Sequence, residues 1–458
     1  MYREDTIAAI ATPIGEGGVA IVRVSGPQAE RIAQDIFARS GARNGSLRSH
    51  TLHHGIIRDP KSGHALDEVL LTLMRKPHSY TGEDVLEVHC HGGPFLVRQV
   101  LELVLSRGAR HAQPGEFTKR GFFNGRLDLA QAEAVLDLIR ARTDKAMRLA
   151  LGQVQGELSK WVGELREDLL DILVQVEAAI DFPDEEIELL QREQLVAKVE
   201  ALKKKISGLL ASYEWGRLFR EGARVCIAGR PNVGKSSLLN ALLGEERVIV
   251  TPVPGTTRDF IEESINLDGL PLVLWDTAGI YETKDEVERI GVDFSLTKLK
   301  EAHGALVVLD GSSSLTAEDE KILAETGEKK GLVVINKIDL PPKLDIGEVM
   351  STVPDKEMVS ISAKDGRGLD RLRLALRKLF LNGQSEPDIL VTNTRHKAAL
   401  QRSEECITEA VKALREGLPP EIAAVGLQEA KQGLEELIGI VTNDDILERV
   451  FSQFCIGK

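Results

Sequence analysis

Gly229-Arg-Pro-Asn-Val-Gly234-Lys235-Ser236 is the stretch on which the reading of this chain turns. It has the GxxxxGK[ST] spacing, follows the apolar run Val225–Ala228 and opens the helical run Ser237–Leu243. Glycines at those two positions let the backbone wrap a phosphate. The loop N–H groups and the dipole of the following helix then face the anion. In this frame Asn232, Val233, Gly234, Lys235, Ser236 and Ser237 line the phosphates. Lys235 reaches the β- and γ-phosphates, and Ser236 is a Mg²⁺ ligand.

Working outward, residues 222–380 alternate apolar runs with helical patterns. Strands are expected at Arg224–Ala228, Leu272–Trp275, Ala305–Leu309, Leu332–Ile335 and Met358–Ile361. That alternation predicts an open, mostly parallel sheet with helices on both faces, a Ras-like P-loop domain. Three further motifs stand at strand ends. Asp276-Thr277-Ala278-Gly279 offers a carboxylate to the Mg²⁺ shell through water and an N–H to the γ-phosphate. In Asn336-Lys337-Ile338-Asp339 the last carboxylate can accept from N1–H and the exocyclic amine of guanine. Adenine lacks that pair and would leave the carboxylate unpaired. Ser362-Ala363-Lys364 supports the base, and Gly255-Thr256-Thr257-Arg258-Asp259 can close over Mg²⁺ when triphosphate is bound. In this order the motifs resemble the G1–G5 set of TRAFAC-class GTPases.

Ile280 follows the DTAG motif where many small GTPases carry a water-orienting Gln. An alkyl chain cannot orient water, so another group must serve. Glu282, Asp285, Glu286 and Glu288 are candidates for that role, and equally for a solvated acidic helix start favoured by the dipole. Asn232 can ligate a monovalent cation beside the β–γ bridge, where it would stabilise the charge an arginine finger otherwise meets.

The flanks differ in character. Residues 1 to about 120 mix short strands (Val19–Val24, Glu68–Met74, Val85–Cys90) with helices expected at Gly26–Arg39 and Pro94–Arg107, an α+β or α/β domain. Asp128–Ile180 reads as long amphipathic helices, broken at Asp181–Asp184 and resumed at Gln191–Phe219. Helical pattern returns from Arg395 to Phe454. The economical layout is an N-terminal domain over 1–120, a helical domain of 121–219 plus 382–458, and an inserted G domain over 220–381.

The 458 residues are 42% hydrophobic and 28% charged, an ordinary globular mixture. The net charge of −13 divides into +3 over residues 1–126 and −16 over the remainder, which excludes a simple nucleic-acid-coating protein. Cys90, Cys226, Cys406 and Cys455 are far apart, as expected of a reducing cytosol and not of a disulfide scaffold. No apolar run is long enough to span a membrane, and the N-terminus lacks the pattern of a signal peptide, so a cytoplasmic location is expected. Ile456-Gly457-Lys458 after Cys455 is a poor prenylation signal. His89-Cys90-His91 invites a metal reading, but alternation puts only the two histidines on one face.

Outside the GTPase unit the chain carries Asp5–Pro13, Gly17–Gly26, Thr81–Glu87, His91–Pro94, Pro114–Phe117, Asn124–Glu133 and the final Phe454-Cys-Ile-Gly-Lys458. With these motifs the whole chain resembles the MnmE (TrmE) family of bacterial tRNA-modification GTPases. The resemblance implies a folate-binding N-terminal domain that dimerises, a helical domain and an inserted G domain. It further implies work with the flavoprotein MnmG, FAD being held by that partner. The pair would build an aminomethyl-type group on carbon 5 of the wobble uridine of tRNA from a one-carbon tetrahydrofolate (5-formyl or methylene form).

Carried position by position, the resemblance makes Glu288 the general base. Asn232, with Thr251, Val253 and Thr256, forms a K⁺ site, and Ser236 and Thr257 are Mg²⁺ ligands. Thr251, Thr256, Thr257, Thr277 and Ala278 join the GTP contacts, and Arg23, Glu87, Arg126 and Lys458 hold the folate. Arg126 stands where some relatives have Lys, and Tyr281 where some have Arg. Taken alone, Arg23 reads first as a half-exposed strand charge and Glu87 as a surface carboxylate. Cys455 reads either as a reacting thiol or as an inert one. A regulatory GTPase of ribosome assembly is the competing function, with a metal-transport GTPase behind it.

Overall fold

The computed structural model describes residues 4–39, 46–181, 189–246, 263–276, 301–381 and 390–458. The chain divides into two compact units. One comprises Met1–Leu136, Gln153–Val196 and Glu405–Lys458, the other Asp137–Gly152 and Ala197–Glu404.

The first unit is built on a seven-stranded sheet. Its strands are β1 (Ile7–Ile10), β2 (Gly17–Ser25), β3 (Phe37–Arg39), β4 (Leu52–Arg58), β5 (Ala65–Met74), β6 (Val85–Gly92) and β7 (Arg110–His111). They lie in the order β3-β4-β5-β6-β2-β1-β7. Neighbours are antiparallel except β1 and β7. Strand alternation sorts the side chains. Val22, Val24, Val88 and Cys90 enter a core closed by Ile32, Ala33 and Ile36 of the helix Ala29–Ile36 and by Val97, Val100 and Val104 of the helix Pro94–Leu105. Arg23 and Glu87 fall on the opposite face, directly across from each other.

The expected helix Gly26–Arg39 is shorter than its pattern. It ends at Ile36, and Phe37–Arg39 instead pairs with β4 as an edge strand. Pairing with Ile57 and Ile56 satisfies in the sheet the backbone groups that a further helical turn would have satisfied internally. Strands β1, β4 and β7 were not expected from the sequence. In the helical part of this unit, Glu157–Asp181 and Pro420–Ile438 pack along their apolar stripes, burying among others Leu165, Leu169, Leu427 and Leu434.

The second unit holds a six-stranded sheet of β8 (Ala223–Ala228), β9 (Glu263–Leu267), β10 (Leu270–Asp276), β11 (Gly304–Asp310), β12 (Gly331–Asn336) and β13 (Glu357–Ser360). The order is β13-β12-β11-β8-β10-β9, parallel throughout except for the edge strand β9. The five expected strands are all present and all parallel. Strand β8 lies between β10 and β11, so the strand order reverses beside it, and ligands bind at the carboxyl ends of strands at such a switch. The expected helix Gln191–Phe219 is two helices, Leu189–Ala211 and Tyr213–Glu221. At the junction Ser212 Oγ donates to Leu209 O (2.6 Å) and accepts from Val391 N (3.0 Å). The expected break within Asp181–Asp184 lies outside the described residues beyond Asp181.

Candidate functional site

The loop Gly229–Gly234 joins β8 to the helix Lys235–Glu246 at that switch. Gly234 has φ +98°, and a Cβ there would overlap Asn336 Nδ2. A Cβ at Gly229 would come within 2.5 Å of Val308 O. Gly229 is therefore required by the close approach of the Val308 backbone, and Gly234 by its left-handed backbone. Asn232 adopts a left-handed conformation (φ +65°), which its short amide side chain permits. Val233 is fully buried and anchors the loop. Lys235 is 6% exposed, and its Nζ donates to Gly229 O (2.6 Å) and Arg230 O (3.0 Å). Ser236 and Ser237 lie exposed in the first helical turn.

Three motifs are tied together here, the first 103 residues from the second and the third 27 beyond it. Asn336 is 2% exposed and bridges two of them: its Nδ2 donates to Val233 O (2.8 Å), and its Oδ1 accepts from Ala363 N (3.0 Å). Lys337, with φ +66°, donates Nζ to Asn232 O (2.8 Å) and to Asp310 Oδ2 (2.7 Å). Burial raises the Asp310 carboxyl, but hydrogen bonds from Lys337 and Ser312 outweigh it and hold the group below its ordinary value. Ser362 Oγ donates to Asp339 Oδ1 (2.8 Å), which aims the carboxylate expected to read guanine. Lys364 is exposed beside it. Sequence reading missed Asp310; its position at the end of β11, level with Asn336 on β12, was the available signal.

Asp276 is the last residue of β10, next to β8. Thr251, Val253, Thr256, Thr257, Thr277, Ala278, Gly279 and Glu288, with Glu282, Asp285 and Glu286, lie outside the described residues.

A second polar site lies on the first unit's sheet. Arg23 Nε donates to Glu87 Oε1 (2.8 Å) and its Nη1 to Gly457 O (3.2 Å). The guanidinium sits 5.5 Å from the Tyr80 ring centroid and 5.8 Å from that of Phe117. His89 Nε2 is 3.4 Å from the other Glu87 oxygen. Burial raises the Glu87 carboxyl, but its contacts with His89 and Arg23 prevail and hold it below its ordinary value. Burial, together with the Arg23 charge, pushes the Lys458 amine down. Gly457 (φ +101°) lies against Ile10 O so closely that a Cβ would overlap it, and Phe117 N donates to Lys458 O (3.2 Å). Thus Arg23, Glu87 and Lys458 gather at one place. Arg126 borders it through the adjoining loop, donating Nε to Ser79 O (3.0 Å). Cys455 is exposed near the end of the same segment. Tyr80 and Phe117 are members of this site that the sequence reading did not single out, and His89 entered it only as a metal candidate.

Behind the site runs a charged network. Arg120, 3% exposed, donates to Asp5 Oδ1 (2.5 Å), Asp5 O (2.7 Å), Glu83 Oε2 (3.1 Å) and Glu116 Oε1 (3.1 Å). Arg110 binds Asp5 (2.7 Å) and Glu116 (2.5 Å). Burial raises both Asp5 and Glu116, but the two guanidinium groups more than offset it and both carboxyls are lowered. Ser25 Oγ donates to Glu83 Oε2 (2.6 Å) and shares a 2.7 Å hydrogen bond with Thr81. The network fixes the loop that carries Tyr80.

At His89-Cys90-His91, Cys90 is buried on the helix-covered face and its thiol is pushed up to about 11 by burial. His91 Nδ1 pairs with Asp67 (2.8 Å). Among the described residues no three His, Cys, Asp or Glu side chains gather as a metal site, and no helix is long and apolar enough to cross a membrane.

Residues 6–126 match the family described as GTP-binding protein TrmE N-terminus, and residues 129–455 match the MnmE helical domain. Full-length similarity extends to proteins named tRNA modification GTPase MnmE. The one from Natranaerobius thermophilus is 45% identical over 457 residues, covering 99% of this chain and 100% of that protein. The Enterococcus faecalis protein is 47% identical over 458 residues, with 99% and 98% covered. The Geobacillus kaustophilus protein is 47% identical over 462 residues, with 100% of both chains covered.

Proposed function

This chain belongs to the MnmE family of tRNA modification GTPases, and from that membership we propose the particular reaction it serves. It binds and hydrolyses GTP in the course of tRNA modification. Together with a flavoprotein of the MnmG kind, which holds FAD, it installs an aminomethyl-type (carboxymethylaminomethyl) group on carbon 5 of the wobble uridine. The one-carbon unit comes from a tetrahydrofolate in its 5-formyl or methylene form. It works in the cytoplasm, as a homodimer through the N-terminal sheet.

The observation that carries this reading is the convergence of Arg23, Glu87 and Lys458, from opposite ends of the sequence, beside two aromatic rings. The donor set fits a reduced folate. A lowered carboxylate at Glu87 accepts N–H groups from a pterin edge, and the cations of Lys458 and Arg126 suit glutamate carboxylates. When bound, the folate supplies the carbon. Arg23 and Glu87 orient it, and Tyr80 and Phe117 cover the Arg23 guanidinium. Support for a dimer comes from the sheet face bearing Arg23 and Glu87, where Leu52 and Leu70 are exposed on β4 and β5.

On the GTPase side, Lys235, Ser236, Thr257 and Asp276 serve the phosphates and Mg²⁺. Asn232 with Thr251, Val253 and Thr256 serves K⁺, and Glu288 acts as general base. The left-handed backbone of Asn232 supports its part, since it places that residue at the exposed rim of the phosphate loop. The test is titration of 5-formyltetrahydrofolate into the full chain. Arg23→Ala and Glu87→Gln should each weaken binding at least about tenfold, roughly 1.4 kcal/mol, while GTP hydrolysis, faster in K⁺ than in Na⁺, stays unchanged. Unaltered folate affinity in both variants would remove the N-terminal site from the reading.

A further inference from the structure

The segment Asp137–Gly152 has a position that the nucleotide and folate sites do not explain. In sequence it is flanked on both sides by chain of the first compact unit, yet it packs with the second. There it grips the β9–β10 hairpin at two levels. Arg142 Nη1 donates to Ser264 Oγ (2.9 Å), and Ser264 is 1% exposed in the middle of the hairpin. Thr143 Oγ1 donates to Gly269 O (2.8 Å) in the turn and also accepts from Ala146 N (3.2 Å), capping the helix Asp144–Val154 that it begins.

The turn is rigid. Asp268 (φ +48°) and Gly269 (φ +95°) both have left-handed backbone, as a tight two-residue hairpin requires, and Gly269 N donates to Asn266 Oδ1 (2.7 Å). A Cβ on Gly269 would lie 3.2 Å from the Lys145 side chain. Lys145 Nζ is 4.6 Å from the Phe219 ring centroid, and Arg220 Nε holds Asp137 Oδ1 (2.7 Å). The segment is therefore fastened at 137, 142, 143 and 145.

The hairpin is also the piece of sheet that lies, in sequence, between the Thr256-Thr257 motif and the Asp276–Gly279 motif. In GTPases, segments of that kind answer to the γ-phosphate. Any change in them that is transmitted along β9 or β10 reaches Ser264 and Gly269 and, through their hydrogen bonds, the start of a helix whose chain runs on to Gln153 of the other unit. We propose that the Arg142–Ser264 and Thr143–Gly269 contacts are a conformational joint that conveys nucleotide state from the G domain to the helical domain. The assignment rests on the family's GTPase activity and not on the folate reading.

The test is hydrogen exchange of the full chain loaded with GDP or with a non-hydrolysable GTP analogue. Amides of residues 142–154 are expected to exchange at rates differing at least about fivefold between the two states, the lower end of typical coupling. In Arg142→Ala/Thr143→Val the difference should fall below twofold while nucleotide affinity and the GTPase rate stay within twofold of the parent. Ser264→Ala, which removes one hydrogen bond from the hairpin side, gives an independent reading and should reduce the difference partially. Exchange in the parent that ignores the nucleotide overturns the proposal, and so does a nucleotide-dependent difference undiminished in both variants. Loss of GTP binding in the parent would instead refute the GTPase reading beneath it.

Discussion

Asn336 is the residue through which the phosphate loop, the guanine motif and the Ser362-Ala363-Lys364 turn hold one another, so Asn336→Ala tests whether that bracing matters. The substitution removes a donor from Val233 O and an acceptor from Ala363 N. A buried backbone group left without a partner costs about 1–3 kcal/mol. Val233 is fully buried, so its carbonyl takes the upper part of that range. Ala363 is half-buried and water can reach its N–H, which puts its loss near the lower end. The sum is about 2–4 kcal/mol. If only about 2 kcal/mol of this must be regained on ordering the loop around phosphate, the dissociation constant for GDP rises roughly 30-fold. Titration of a fluorescent GDP into the full chain measures it directly. Asn336→Asp keeps an acceptor for Ala363 but sets a carboxylate oxygen against the buried Val233 carbonyl, and should weaken GDP binding at least as much as the alanine variant. A dissociation constant within threefold of the parent in Asn336→Ala would refute the bracing argument.

Three further outcomes follow from the geometry. Asp339→Asn replaces an acceptor by a donor while Ser362 can still bond the remaining oxygen; competition binding should show guanine nucleotides weakened and xanthine nucleotides gaining, at least tenfold in their ratio. The lowered Asp5 and Glu116 carboxyls add stability that is present above the unfolded carboxylate value, about 4, and that is lost as pH falls through their folded values. Acid unfolding of the first unit, followed by circular dichroism, should therefore shift to higher pH in Arg120→Met, which leaves three carboxylates without that partner. Gly457→Ala must move the chain end away from Ile10, so protease protection of the C-terminal residues should fall and folate binding weaken while GTP hydrolysis is unchanged.

Much of the second unit is legible in sequence because its interior strands are short apolar runs bounded by motifs with fixed backbone demands. Leu306, Val307 and Val308 are buried whichever way they point, and no alternative element accommodates them. The edge strand β9 was harder, since Glu263–Leu267 alternates over only five residues. Helical spacing ran on past Ile36 because nothing local distinguishes Phe37 as a helix residue from Phe37 as a partner of Ile57. The second polar site shows the limit most clearly. Arg23 and Glu87 are 64 residues apart, and Arg23 and Gly457 are 434 apart. Their chemistry alone is that of ordinary strand charges, and only the register of β2 with β6 and the docking of the chain end bring them together. Arg120 was invisible for the same reason: its partner Asp5 is 115 residues away. The Arg142 and Thr143 contacts join residues more than 120 positions apart, with no motif at either end.

The central claim is that GTP turnover by this chain serves modification of the wobble uridine. The most direct measurement is mass-spectrometric nucleoside analysis of tRNA from cells lacking the gene, with and without restoration of the intact chain or of Glu288→Ala. The account predicts that the carbon-5 aminomethyl-type uridines disappear in the deletion, return with the intact chain and do not return with Glu288→Ala. Normal levels of those nucleosides in the deletion would contradict it.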